Sequence, residues 1–165
     1  MPDILLKTDD VCFSYRVGAI IVQNNNVLMV KNENYPYYYS VGGGVQFGEN
    51  SENAVLREIY EELNINLEID ILAFIHENFF ISDFMNDAFF HELRLFYLMK
   101  IDDDIDSIVC NSKGADGGNE ALHWLPINKL SDYQLYPEFY KTELQNLTNE
   151  VKHFITKNEV TIRAV

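Results

Sequence analysis

The chain has 165 residues, the size of one domain, and at 47% hydrophobic and 13% aromatic it is too apolar for intrinsic disorder despite a formal charge of −14. That acidity repels phosphate backbones and anionic lipid, which excludes general nucleic-acid binding and membrane-surface binding as first readings; an anionic substrate would need a bridging cation. Cys12 and Cys110 form neither a CxxC pair nor a disulfide framework, MPDILLKTDD lacks the basic start and apolar core of a leader, and no apolar run reaches membrane-spanning length, so a reducing, cytoplasmic location is expected.

In chain order, FSYRVGAIIVQNNNVLMVKN reads as two β segments around Asn24 to Asn26, a hairpin, because β-branched and aromatic residues flank a cluster that tolerates turn geometry. In NENYPYYYSV, Pro36 marks a loop and Tyr37 to Val41 a short strand. LEIDILAFIHENFFI and FFHELRLFYLMKI read as long strands joined by the polar SDFMND. Between Ile101 and Glu120 an exposed loop is expected. Its acids Asp102 to Asp104 read as solvated surface, since EF-hand spacing is missing. ALHWLP is strand-like, with Trp124 expected in the core, and PEFYKTELQNL has helical spacing at Phe139, Leu144 and Leu147; VKHFITKNEVTI is compatible with strand or helix. No repeat or linker divides the chain, and one domain over 1–165 is expected.

The stretch GGGVQFGENSENAVLREIYEEL, Gly42 to Leu63, carries the chemistry. Ser51 is the expected N-cap of a helix running to about Leu63, with Glu52 in the first turn where the helix dipole favours a negative charge. Val55, Leu56, Ile59 and Leu63 share one face and pack on a sheet, while Glu58, Glu61 and Glu62 form a neighbouring stripe bordered by Arg57. Such a stripe alone also describes the solvated side of an amphipathic helix. Like-charge pairs at this spacing each cost a few tenths of a kcal/mol on an open helix and more when desolvated. With carboxylate oxygens available and no histidine or cysteine nearby in sequence, the fitting guest is a hard cation of the Mg²⁺ type. Gly42, Gly43 and Gly44, between a strand and this helix, let backbone approach a metal or phosphate closely.

The string from Gly43 to Ile65 resembles the Nudix box: Gly, five residues, Glu, seven residues, then Arg-Glu-U-x-Glu-Glu-x-Gly-U, where U is aliphatic. Here Gly43 leads to Glu49 and then to Arg57-Glu58-Ile59-Tyr60-Glu61-Glu62-Leu63-Asn64-Ile65. The single departure is Asn64 in place of glycine, and asparagine is the commonest other residue to take a left-handed C-cap. Before the box, Ser40-Val41 stands where many members have Leu-Pro. His91-Glu92-Leu93, Glu120 through Pro126, and Tyr136-Pro137 extend the resemblance more loosely.

That resemblance implies an α/β fold, a Nudix-type α/β/α sandwich with a mixed central sheet, and an Mg²⁺- or Mn²⁺-dependent hydrolase. Such an enzyme cleaves the diphosphate linkage of a small-molecule nucleoside diphosphate derivative, such as ADP-ribose, a nucleotide sugar or a nucleoside triphosphate, by water attack at phosphorus. By position, Glu58 and Glu62 resemble the principal metal ligands, with Glu61 next, the Gly43 carbonyl a fourth, and Glu49 a metal-linked or supporting carboxylate. Arg57 resembles the arginine that orients a box glutamate. The candidate catalytic set is Arg57, Glu58, Glu61, Glu92 and Glu120, with the general base open among Glu58, Glu92 and Glu120. Lys31, Tyr39, Gly43 and Gly44 are the candidate substrate contacts, and Tyr35 and Tyr37 to Tyr39 are either base-stacking or packing residues. The four histidines lack ligand spacing and are assigned no metal. A non-catalytic nucleotide sensor is the alternative function, an isomerase on the same scaffold a third, and a homodimer through the apolar strands stays open.

Overall fold

The computed structural model describes residues 1–82, 87–101, 105 and 117–157. The expectations for the acidic run Asp102 to Asp104, most of the loop after it, Cys110 and the last eight residues lie outside them.

Alternation along one strand organises the molecule. β2 (Val11–Ile20) sends Val17 and Ala19 into one core cluster and Ile20 into another on the opposite face, as expected of a strand buried on both sides. One edge of β2 pairs in parallel with β7 (Ala88–Lys100), from Val11 opposite Phe89 to Ile20 opposite Leu98. β7 pairs antiparallel with β6 (Glu68–Ser82), giving the two long strands that the apolar runs predict. At the sheet's ends, β1 (Leu5–Lys7) pairs antiparallel with β2, and β10 (Lys152–Lys157) lies parallel to β6. The ambiguous C-terminal stretch is therefore strand as far as residue 157, because the free edge of β6 offers it a ladder.

A second sheet is built on β4 (Asn26–Asn32), which pairs with β8 (Glu120–Pro126) along one edge. The short β3 (Val22–Gln23) and β5 (Tyr38–Tyr39) also pair with β4, and β9 (Leu135–Tyr136) extends β5 in parallel. The asparagine turn forms as read: Asn24 and Asn25 both have positive φ, 50° and 60°, the geometry a two-residue hairpin needs. The hairpin is shorter than expected, since only β3 pairs with β4. The ten residues before it leave for the other sheet, where the long β7 partner outcompetes local pairing.

Helix α1 (Ser51–Leu63) buries Ala54, Val55, Ile59 and Leu63 against Val17, Ala19, Tyr97 and Met99, with Leu56 packed at the edge. Ile59 is fully buried, worth about 2 kcal/mol of transfer energy, and Ile59→Ala should cost about 2–5 kcal/mol once the cavity is included. Its N-cap is Asn50, whose Oδ1 accepts from the Asn53 N–H at 2.8 Å, and not Ser51 as expected. Two good capping residues stand side by side, and Asn50 has the extended φ/ψ the position requires. Ser51 instead is the first helical residue, with its hydroxyl 2.7 Å from that of Tyr97. At the other end Asn64 adopts the left-handed conformation, φ 55° and ψ 35°, and donates its N–H to the Tyr60 carbonyl. The opposite face of the first sheet is covered by a 3₁₀ turn (Ile127–Asp132) and by α2 (Tyr140–Glu143), continued as 3₁₀ through Asn146, where Leu130, Tyr140 and Leu144 meet Phe74 and Phe96. Trp124 is half-buried against the α1-side core. Among the described residues no helix is long and apolar enough to cross a membrane.

Candidate active site

Residues 41–45 run antiparallel beside β2: Ala19 N–H donates to Val41 O at 2.8 Å, Val17 N–H to Gly43 O at 2.9 Å, and Val45 N–H to Tyr15 O at 3.0 Å. Gly42 has φ 140°, and a Cβ there would overlap the Val17 carbonyl. At Gly43 a Cβ would fall on the Glu58 carboxylate, so only glycine lets that acid lie against the backbone. The Gly43 carbonyl, a candidate ligand, spends one lone pair on Val17 and keeps the other.

Arg57 fixes the acids around it. Nε donates to Glu49 Oε1 at 2.9 Å and Nη2 to Glu49 Oε2 at 3.0 Å. Nη1 reaches Glu58 Oε1 at 2.7 Å and Glu61 Oε2 at 3.1 Å, and the second Nη2 bond goes to the Gly44 carbonyl at 2.9 Å. All five guanidinium hydrogens are thereby spent. Its hydrogen bonds, aided by the Gln46 N–H, hold the Glu49 carboxyl below the usual range against the opposing effect of burial, and the same partners raise Arg57 itself.

Glu58 and Glu62 are under the opposite pressure. Burial pushes the Glu58 carboxyl up despite its hydrogen bond from Arg57. Burial, and then the charges of Glu58 and Glu120, push Glu62 up to about 8, against a Gly42 N–H and Arg16 that favour its ionised form. Glu120 accepts a 2.5 Å hydrogen bond from the Tyr39 hydroxyl, which burial and that bond together hold protonated. The fold thus gathers Glu58, Glu62 and Glu120 from α1 and β8, with Glu61 on the exposed rim. Among the described residues no three His, Cys, Asp or Glu side chains stand in a ready-made metal-ligand arrangement; Arg57 draws Glu58 and Glu61 toward itself. The donor set still fits a hard divalent ion: all of it is oxygen, and burial makes two of its acids, Glu58 and Glu62, resist ionisation, a penalty that a bound cation would offset.

Other candidates fall elsewhere. Lys31 lies over the Tyr38 ring, 5.0 Å from its centroid, on the opposite face of the second sheet from Tyr39 and Glu120 by strand alternation. Glu92 is buried on β7, where Arg94 Nη2 donates to it at 3.2 Å and Arg16 Nε stands 3.7 Å away. Tyr35 and Tyr37 stack on each other at 5.4 Å, and Tyr136 meets Tyr37 edge-on at 5.1 Å. His76 bonds Thr156, His91 and His153 flank Glu77, and His123 packs on Tyr38. Arg16 and Arg94 were not among the sequence candidates. The available signal was an arginine inside each of two largely apolar strands, and Glu92 two residues before Arg94, hence on the same face.

An α/β fold of two mixed sheets, with a carboxylate-bearing helix packed beside a glycine segment, defines the class: an α/β/α sandwich with an acidic, oxygen-only site. The NUDIX domain profile matches residues 13–145, and the chain belongs to the Nudix family, whose hydrolases act on phosphorus-containing anhydrides. The MutT NUDIX hydrolase from Burkholderia pseudomallei superposes with a TM-score of 0.54 at 28% identity, over 70% of this chain and 84% of that one. The mutator MutT protein from Bacillus halodurans gives 0.59 at 13% identity, over 86% and 90%. An ADP-ribose pyrophosphatase from Streptococcus suis gives 0.50 at 12% identity, over 87% and 98%. A comparison with curated proteins gives no match.

Proposed function

We propose that the chain hydrolyses the diphosphate linkage of a nucleoside diphosphate derivative, by attack of water at phosphorus, with Mg²⁺ or Mn²⁺. The observation that carries this is the convergence of Glu58, Glu62 and Glu120 beside the Gly43 backbone, braced by the fully committed Arg57. Glu58 and Glu62 would hold the cation, with Glu61 and the Gly43 carbonyl beside them; bound there, it supplies charge neutralisation of the phosphates and a more acidic water. Arg57 keeps Glu58 against Gly43, and Glu49 in turn keeps Arg57 in place. Of the three candidate bases, Glu120 is favoured: it neighbours Glu62 and is oriented by Tyr39, whereas Glu92 faces two arginines and Glu58 is committed to Arg57. One domain and a cytoplasmic location, with the buried free thiol of Cys12 kept reduced, complete the reading.

The test is a panel of nucleoside triphosphates, nucleotide sugars, ADP-ribose and dinucleotides incubated with and without Mg²⁺ and read by mass spectrometry. Products cleaved between two phosphorus atoms, formed only with metal, support the reading. Tight nucleotide binding with no product across the panel would transfer it to the sensor alternative.

A further inference from the structure

On the face of the first sheet opposite α1, Arg16 of β2 and Arg94 of β7 are register partners, and Ser14 stands opposite Glu92 one step along the same face. Two guanidinium groups share one carboxylate there, Arg94 at 3.2 Å and Arg16 at 3.7 Å from the same Glu92 Oε2. The trio carries a net positive charge, in a chain whose formal charge is −14. Three polar atoms around it, Arg16 Nε, Arg94 Nε and Ser14 Oγ, are buried with no hydrogen-bond partner among the described residues. Buried donors left unmade cost about 1–3 kcal/mol each, and more when charged. A fold that needed only a structural ion pair would match one carboxylate to one arginine. Here charge and donors are both in surplus, and what they lack is an anion with several oxygens.

The position suits one. Arg16 lies within electrostatic reach of Glu58 and Glu62, so it borders the acid cluster without belonging to it, and Arg94 stands beside it in register on the next strand. Arg16 also keeps its side chain 38% exposed, so an anion has access.

We propose that Arg16, Arg94 and Ser14 form a phosphate subsite that takes a phosphoryl group of the substrate next to the carboxylate cluster, with Glu92 as the internal anion that holds the pair when substrate is absent. The identity of that anion as a substrate phosphate rests on the hydrolase reading above; the anion subsite itself does not. A planar guanidinium presents two parallel N–H groups to phosphate oxygens, and two of them from adjacent strands set its orientation.

The test measures inorganic pyrophosphate binding by calorimetry without added metal, for the full chain and for Arg16→Met and Arg94→Met. Wild-type binding weakened about tenfold or more in each variant is expected, with the far-ultraviolet circular dichroism retained. Equal binding in all three would overturn the subsite. Should a methionine variant fail to fold, Glu92→Gln decides: with the internal carboxylate neutralised, pyrophosphate should raise its melting temperature more than it raises that of the wild type, and an equal or smaller rise would overturn the proposal. In the substrate panel the same arginine variants should raise KM more than they lower kcat, and an unchanged KM would contradict the assignment to substrate. If the wild type binds pyrophosphate through these arginines yet hydrolyses nothing, the subsite stands and the hydrolase reading fails.

Discussion

Arg57 and Glu49 form a two-pronged ion pair, Nε to Oε1 at 2.9 Å and Nη2 to Oε2 at 3.0 Å, that ties the middle of the box helix to the loop before it. Lysine offers no fork, so Arg57→Lys leaves Glu58, Glu49 and the Gly44 carbonyl competing for one ammonium. Turnover should fall about 10- to 100-fold with little change in melting temperature, the usual scale for a residue that orients ligands. Steady-state kinetics beside a thermal melt checks this, and unimpaired turnover would show that the brace has no part in the reaction.

Gly43→Ala places a methyl group on the Glu58 carboxylate. The carboxylate must swing away, and activity should drop at least as far as in Arg57→Lys. Saturating Mg²⁺ should restore little of it, because the displaced group is the one proposed to hold the ion. Wild-type kinetics in this variant would mean that Glu58 does not work from its position against the glycine.

The left-handed Asn64 explains why the one departure from the box is tolerated. Asn64→Gly should be neutral or stabilising by a few tenths of a kcal/mol, while Asn64→Val, a branched residue at positive φ, should cost about 1–3 kcal/mol. Chemical denaturation of both variants measures the difference, and equal stabilities would place the helix end elsewhere.

His76 is buried between β7 and β10, edge-on to Phe139, with Nε2 2.8 Å from the Thr156 hydroxyl. Burial pushes its imidazole down to about 4, against about 6.5 in the unfolded chain. Because the native state resists the proton, this contribution to stability is complete above pH 6.5 and is lost as the pH falls from there through about 4. A His76→Gln variant should show a flatter decline in unfolding free energy over that window, and a decline parallel to wild type would assign the acid sensitivity to other groups.

The box was legible because fixed spacings of charged residues on a helix translate directly into geometry: Arg57, Glu58, Glu61 and Glu62 lie where an ideal helix puts them, and Asn64 caps it as read. Neighbouring choices between similar residues were not, as the cap at Asn50 in place of Ser51 shows. Pairing between distant strands also left no local trace. The short edge strand Leu5–Lys7 went unread, the first hairpin was divided between two sheets, and Lys31 was carried to the far face of β4. Arg16 and Arg94 lie 78 positions apart in sequence and meet only through parallel register, so a reading of local motifs could not join them.

A divalent ion relieving the buried acids of α1 is the central premise of the proposed hydrolysis. Mn²⁺ titration followed by electron paramagnetic resonance, with nucleotide present, measures this on wild type, Glu58→Gln and Glu62→Gln. Saturable binding by the wild type that weakens on the order of tenfold or more in each variant is the predicted result. Equal Mn²⁺ affinity in all three proteins would contradict it.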